Sequence, residues 1–184
     1  MWLTIPNLFT TVRIVMTPFI LLLLARGQFL AGGWLFGAAA VTDLLDGAIA
    51  RRFGGGSRIG LYLDPIADKI LLSGIYIGLA VGGAVPVWVV GVIFGRDLWI
   101  VLLSAIALQF TNFRRLEPSV WGKASTFLQI MTAVAVIAAK GYRDAVLSRI
   151  CAGLIWGVVA FAAISAGEYS MRGVNWLRQR AERH

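Results

Sequence analysis

Long apolar runs separated by short polar links constrain this chain more than any other feature of its sequence. Six such runs lie near residues 7–26, 30–51, 60–81, 86–108, 122–139 and 148–169. Each approaches the roughly 20 residues that a helix needs to cross a bilayer. Hydrophobic residues make up 59% of the 184 positions and charged residues only 14%, which is too apolar for one soluble core. The pattern predicts an all-α integral membrane bundle of six transmembrane helices in a single domain, residues 1–184.

Basic residues are unevenly divided between the two sides that six spans would create. The net charge is +8. One side would hold both termini and the links after the second and fourth runs, and it carries most of the Lys and Arg residues. The positive-inside rule predicts that this side is cytoplasmic. The positive charge suits the headgroups of membrane lipids. Nucleic acid binding is the weaker interpretation, because no basic domain stands apart from the apolar runs. The short chain without a recognisable transit segment favours a bacterial inner membrane.

Glycines indicate where helices are linked and where they approach each other. Gly141 is expected to separate the last two runs. Pairs of glycines four residues apart permit close contacts between helices. These pairs are Gly33/Gly37, Gly74/Gly78 and Gly153/Gly157.

Four aspartates lie within or at the ends of the second and third runs, where acids are costly and usually functional. Asp43 and Asp46 are three residues apart, and Asp64 and Asp68 are four residues apart. On a helix, each pair projects from one face. Two neighbouring helices joined by a short link would therefore direct four carboxylates at one volume.

Such a cluster favours divalent cations, because unpaired carboxylates at short range repel one another. Oxygen ligands select Mg²⁺, Mn²⁺ or Ca²⁺, and two ions on shared carboxylates would suit a pyrophosphate. Gly47, Ala50 and Gly60 leave space near the acids, and Arg51 can pair with a phosphate oxygen.

Acids in membrane spans also occur in two settings that involve no catalysis. One is a polar network between helices, and the other is the ion pathway of a small transporter or channel. A transporter predicts polar residues along several helices across the bilayer. Here the acids crowd one region, and the fifth and sixth runs are almost free of charge.

The run DLLDGAIAR at residues 43–51, followed by Gly60, Asp64 and Asp68, resembles the complete signature of the CDP-alcohol phosphatidyltransferase family at all eight fixed positions. The resemblance implies transfer of the phosphatidyl group of CDP-diacylglycerol to an alcohol, with release of CMP. It also implies two divalent metal ions (Mg²⁺ or Mn²⁺), a homodimer and a polar cavity open to the cytoplasm.

The same resemblance implies roles for individual residues. Asp43, Asp46, Asp64 and Asp68 would be metal ligands, and Asp68 would also be the general base. The CDP moiety would be bordered by Asp46, Gly47, Ala50, Arg51 and Gly60.

The acceptor alcohol is indicated less strongly. Segments 5–13 and 63–69 are similar to those of members that make glycerophospholipids. The pair Arg96-Asp97 and the segment 118–126 favour phosphatidylglycerol as the acceptor, which would give cardiolipin. Gly122-Lys123 followed by Thr126 also occurs in members that use glycerol 3-phosphate, so that acceptor is the alternative.

Basic residues near the later runs are candidates for binding the acceptor's phosphate. They are Arg96, Arg114, Arg115 and Lys123. Topology and headgroup contacts account for the last three equally well, and Arg96 can instead pair with Asp97 or with an acid of the site. Asn7, Thr10 and Arg13 can contact the nucleotide or pack helices, and the sequence is compatible with both roles.

Overall fold

Six α-helices make up the part of the chain that the computed structural model describes, residues 5–53, 60–110 and 120–181. Side chains are described over residues 10–42, 66–103 and 120–172. The helices are α1 (Ile5–Ala25), α2 (Phe29–Phe53), α3 (Gly60–Val81), α4 (Val87–Phe110), α5 (Val120–Tyr142) and α6 (Ala145–Ala181). No strand occurs in these ranges, so the prediction of an all-α protein is confirmed.

Two of these helices are clear candidates for crossing a membrane by their length and composition. They are Val120–Tyr142 and Ala145–Arg172. Within residues 10–42, whose side chains the structure describes, the apolar parts of α1 and α2 are Thr10–Ala25 and Phe29–Thr42. The finding indicates an association with the membrane, whereas six transmembrane helices stay a prediction.

The helices group into two compact units. The first contains Met1–Val87 and Ala133–Ser148, and the second contains Trp88–Thr132 and Arg149–His184. The single domain expected from the sequence stays a prediction.

In the first unit, a row of glycines on α3 and just after its end lets this helix approach α1 closely. A Cβ atom added at Gly78 would lie 2.9 Å from the carbonyl oxygen of Leu21, and one at Gly74 would lie 2.6 Å from Cγ2 of Thr17. The contacts in chain order are Thr17 with Gly74, Leu21 with Gly78 and Leu24 with Gly82. Because they advance by one turn on both helices, α1 and α3 run parallel. The predicted close contact at Gly74/Gly78 is confirmed.

The other two glycine pairs behave differently. A Cβ atom at Gly33 would lie 2.7 Å from Cγ2 of Ile137, but nothing lies within 4 Å of one at Gly37. The pair Gly33/Gly37 therefore makes one close contact instead of two. Gly153 also meets nothing within 4 Å, and Gly157 would make an ordinary contact with Leu128 at 3.4 Å. The close contact that the spacing of Gly153 and Gly157 permits is not made in the part of the second unit that the structure describes.

The link between α5 and α6 consists of one left-handed residue and a helix cap. Arg143 has φ 56°, and the N–H of Asp144 donates to the carbonyl of Ala139 at 3.0 Å. The carboxylate of Asp144 then accepts the N–H of Leu147 at 2.9 Å, as N-cap residues do. Helix α5 continues through Gly141 and ends at Tyr142. The expectation that Gly141 separates the last two helices is therefore wrong.

We expect the change Gly78→Ala to lower the free energy of unfolding by about 1–3 kcal/mol, the usual cost of overpacking. The new methyl group would lie 2.9 Å from a backbone oxygen of α1, which a side-chain rotation cannot move away. Unfolding of the purified protein in mixed micelles, followed by circular dichroism, measures the difference.

Gly37→Ala is the matched control, because it adds the same methyl group to a helix where nothing lies within 4 Å. This change should be neutral or stabilising by up to about 1 kcal/mol, since Ala favours helix over Gly. Equal stability of the two variants would contradict the close packing of α1 on α3.

Candidate active site

The carboxylate of Asp68 on α3 forms an ion pair with Arg13 on α1. The guanidinium NH1 donates to Oδ1 of Asp68 at 2.5 Å. The Arg13 side chain is only 1% exposed, whereas that of Asp68 is 56% exposed. The ion pair therefore connects the buried guanidinium of Arg13 to a carboxylate that other molecules can reach.

A stripe of polar residues on α1 accounts for the position of Arg13. Thr10, Arg13 and Thr17 are all buried and are spaced three and four residues apart, as are residues on one helix face. The same face continues into the buried Ile20 and Leu24. Thr17 contacts Gly74, so this is the face that packs on α3. The parallel arrangement of the two helices then brings Arg13 to Asp68.

The pairing of Arg13 with a signature acid was not predicted from the sequence, which was compatible with contact to the nucleotide or with helix packing. The structure shows that Arg13 lies in a helix interface and that its charge is directed at Asp68. The spacing of polar residues 10, 13 and 17 within an apolar run was the signal that could have identified this face.

The remaining signature residues lie on the two helices that the sequence predicted to carry them. Residues 43–51 belong to α2, and Gly60 and Asp64 belong to α3. The side chains outside the described residues are those of Asp43, Asp46, Gly47, Ala50, Arg51, Gly60 and Asp64. Convergence of the four carboxylates thus stays a prediction. Among the side chains that the structure describes, no three His, Cys, Asp or Glu residues form a group for a metal ion, and Asp68 is the one signature acid in that set.

The chemistry of the four acids fits a hard divalent cation. Carboxylate oxygens are the ligands that Mg²⁺ and Mn²⁺ prefer. The exposed carboxylate of Asp68 can be reached by an ion, and a partner such as Arg13 is the kind of group that orients a metal-ligating carboxylate.

Arg96 on α4 is the centre of a polar cluster in the second unit. Its NH1 donates to Oδ1 of Asp97 at 2.7 Å, and its NH2 donates to Oγ of Ser165 on α6 at 2.7 Å. The carbonyl oxygen of Gly122 on α5 lies 3.5 Å from NH2. The Arg96 side chain is 7% exposed, so the cluster connects three helices inside the unit. Pairing with Asp97, one of the alternatives that the sequence left open for Arg96, is present, and Ser165 is a partner that the sequence did not indicate.

Of the remaining candidates for binding the acceptor, the structure describes the side chain of Lys123 alone. Lys123 is exposed near the start of α5, next to Gly122. Arg114 and Arg115 lie outside the described residues. Binding of an acceptor phosphate by Arg96, Arg114, Arg115 or Lys123 stays a prediction.

Comparison with known proteins gives consistent relatives. The model of the CDP-alcohol phosphatidyltransferase family matches residues 3–164. A probable cardiolipin synthase (CMP-forming) of Drosophila melanogaster is 34% identical over 146 residues, which cover 71% of this chain and 45% of that protein. A probable phosphatidylglycerophosphate synthase of Mycobacterium tuberculosis is 37% identical over 134 residues, which cover 67% of this chain and 60% of that protein.

A third relative matches almost end to end. The CDP-diacylglycerol–glycerol-3-phosphate 3-phosphatidyltransferase of Bacillus subtilis is 29% identical over 187 residues, which cover 94% of this chain and 95% of that protein. By contrast, the matches span about half of the fly protein and three fifths of the mycobacterial one.

We expect the change Arg96→Met to lower the free energy of unfolding by about 1–3 kcal/mol, because Asp97 and Ser165 lose a charged hydrogen-bond donor. Unfolding in mixed micelles measures the loss. Lys123→Met removes the same charge from an exposed position of the same unit and should change the stability little. A variant Arg96→Met as stable as the wild-type chain would show that the cluster does not hold the three helices together.

Proposed function

Because this chain belongs to the CDP-alcohol phosphatidyltransferase family, we propose that it transfers the phosphatidyl group of CDP-diacylglycerol to an alcohol and releases CMP. The observation that carries the proposal is the complete set of eight signature positions between residues 43 and 68, inside the matched range 3–164. The exposed carboxylate of Asp68 supports it, since a catalytic acid must be accessible to its substrate.

The four signature aspartates are the proposed ligands of two divalent ions, Mg²⁺ or Mn²⁺. The family is generally dependent on divalent metal ions. When bound, such ions offset negative charge on the pyrophosphate and on the leaving CMP. Asp43 and Asp46 would act from α2, and Asp64 and Asp68 from α3. Arg51 would add a hydrogen-bond donor to a phosphate oxygen, and Gly47, Ala50 and Gly60 would leave room for the CDP moiety beside Asp46.

Asp68 is the proposed general base. It would take the proton of the acceptor hydroxyl while that oxygen bonds to the β-phosphorus of the donor. The bond between this phosphorus and the bridging oxygen would break, and CMP would leave with the electron pair. Arg13 donates a hydrogen bond to Oδ1 of this carboxylate.

Phosphatidylglycerol is the proposed acceptor, so that the product is cardiolipin. The pair Arg96-Asp97 and the segment 118–126 support this choice, as does the likeness to a protein named cardiolipin synthase. Lys123 is the better placed of the two described candidates for the acceptor's phosphate. It is exposed, whereas the N–H groups of Arg96 already contact Asp97 and Ser165. Arg114 and Arg115 are the other proposed contacts.

Glycerol 3-phosphate is the second candidate acceptor. The observation that favours it is the match to the Bacillus subtilis protein, whose name specifies this acceptor and which is covered over 95% of its length.

We also propose a location and an assembly. The distribution of Lys and Arg residues supports six membrane spans with the active site facing the cytoplasm, in a bacterial inner membrane. The helices Val120–Tyr142 and Ala145–Arg172 support the membrane location. The family resemblance of residues 43–68 is the basis for proposing a homodimer.

We expect Asp68→Asn to reduce the release of CMP by roughly 10²- to 10⁴-fold, because an amide cannot accept the acceptor's proton. The measurement uses the purified chain with CDP-diacylglycerol, an acceptor lipid and Mg²⁺ or Mn²⁺. The control is Asp144→Asn, which makes the same chemical change at a helix cap where Asn serves as well as Asp. A transporter would release no CMP at all, and an active Asp68→Asn variant would exclude the proposed base.

The acceptor is tested by supplying CDP-diacylglycerol with either phosphatidylglycerol or glycerol 3-phosphate and identifying the lipid product. We expect cardiolipin from the first acceptor and little product from the second. Efficient formation of phosphatidylglycerophosphate, without cardiolipin, would establish the second candidate in place of the first.

A further inference from the structure

We propose that Arg13 is a positioning residue, whose guanidinium holds the Asp68 carboxylate in place and thereby determines how tightly the site binds a divalent cation. The proposal rests on the proposed function in one respect, the assignment of Asp68 to a metal-binding site. It concerns a residue on α1, outside the signature on α2 and α3.

Stability alone does not account for the burial of Arg13. An arginine that is 1% exposed has lost nearly all contact with solvent, and removing a charge from water can cost more than its ion pair returns. Apolar side chains of similar volume would pack at least as well at this position, as Ile20 and Leu24 do further along the same face. A buried arginine whose charge ends on an exposed carboxylate is better accounted for by an effect on that carboxylate.

The arrangement of α1 and α3 makes Arg13 a fixed point of attachment. Thr17 contacts Gly74 one turn after Arg13, and Leu21 contacts Gly78 one turn later, so the two backbones are closely packed next to the ion pair. The Arg13 side chain has almost no exposed surface and therefore little freedom to change rotamer.

Asp68, in contrast, has an exposed side chain that would sample several rotamers if nothing held it. The contact from NH1 to Oδ1 at 2.5 Å selects the rotamers that direct the carboxylate towards α1. Holding a ligand in its binding geometry lowers the entropy that is lost when the ion binds.

The charge of Arg13 has two opposing effects on a cation site. It repels the cation, but it also offsets the repulsion between clustered carboxylates. If orientation and relief of repulsion are the larger effects, removing Arg13 weakens cation binding. If direct repulsion is larger, removing Arg13 strengthens it. We expect the first outcome, that removing Arg13 weakens cation binding.

The experiment titrates the full-length chain in detergent with Mn²⁺ alone, and electron paramagnetic resonance measures the free Mn²⁺. No substrate is present, so the result does not depend on turnover. We expect Arg13→Met to raise the Kd for Mn²⁺ by roughly 10- to 100-fold, the usual effect of losing a residue that orients a metal ligand. Arg13→Lys keeps the charge without the planar guanidinium and should bind more weakly than wild type but more tightly than Arg13→Met.

Thr17→Val is the matched control. It lies one turn from Arg13 on the same buried face, and it removes the hydrogen bond at 2.9 Å to the Arg13 carbonyl without changing any charge. Its Kd should stay within about twofold of the wild-type value, since it does not touch Asp68. A weakening equal to that of Arg13→Met would show that the interface alone matters, which would overturn the proposal.

A combined variant tests whether Arg13 acts through Asp68. If it does, Arg13→Met adds no further loss of Mn²⁺ binding to Asp68→Asn, whereas independent effects would multiply. Multiplying effects would overturn the role proposed for Arg13.

The outcomes separate this proposal from the proposed function. Wild-type binding of Mn²⁺ with release of CMP, together with unchanged or tighter binding by Arg13→Met, overturns the role of Arg13 and leaves the function standing. A wild-type chain that binds no Mn²⁺ and releases no CMP overturns both. If Arg13→Met does not fold, Arg13→Lys decides: weaker binding than wild type supports the proposal, and equal binding overturns it.

Discussion

The close approach of α1 to α3 determines where Arg13 and Asp68 lie relative to each other. Gly74, Gly78 and Gly82 remove the Cβ atoms that would otherwise separate the two backbones. The helices are parallel and advance together. Arg13, one turn before Thr17 on α1, therefore lies near Asp68, six residues before Gly74 on α3. The ion pair between Arg13 and Asp68 depends on this packing, and a buried arginine without such a carboxylate would be strongly destabilising.

Each unit contains a buried arginine paired with an aspartate, but the two pairs differ in the exposure of the acid. The carboxylate side chain is 56% exposed in Asp68 and 24% exposed in Asp97. Arg96 also donates to Ser165, so its hydrogen bonds connect helices of the second unit. The first pair leaves its acid accessible to a ligand, whereas the second holds its acid mainly inside the structure. This difference makes Asp68 the more accessible of the two acids to a ligand.

The helices were predictable because apolar runs of membrane-spanning length have few alternatives to helix. The predicted runs 7–26 and 86–108 correspond to Ile5–Ala25 and Val87–Phe110. The last run was predicted to end near 169, but α6 continues to Ala181. Hydrophobicity defined the predicted end, and a helix does not stop where its residues become polar. Likewise Gly141 was expected to end α5, yet it is helical and would place a Cβ atom 2.7 Å from Leu30.

The candidate site was predictable only as far as local spacing reaches. Periodicity places Asp64 and Asp68 on one face of α3 whatever surrounds that helix. The partner of Asp68 depends on how α1 and α3 are aligned, and alignment is a property of two separated segments. The glycine row on α3 and the polar stripe at residues 10, 13 and 17 are both visible in the sequence. Each indicates a contact face of its own helix, but neither specifies how the two helices are aligned. Contacts such as Leu21 with Gly78 supply this alignment, and they bring Arg13 of the first helix next to Asp68, an acid of the signature.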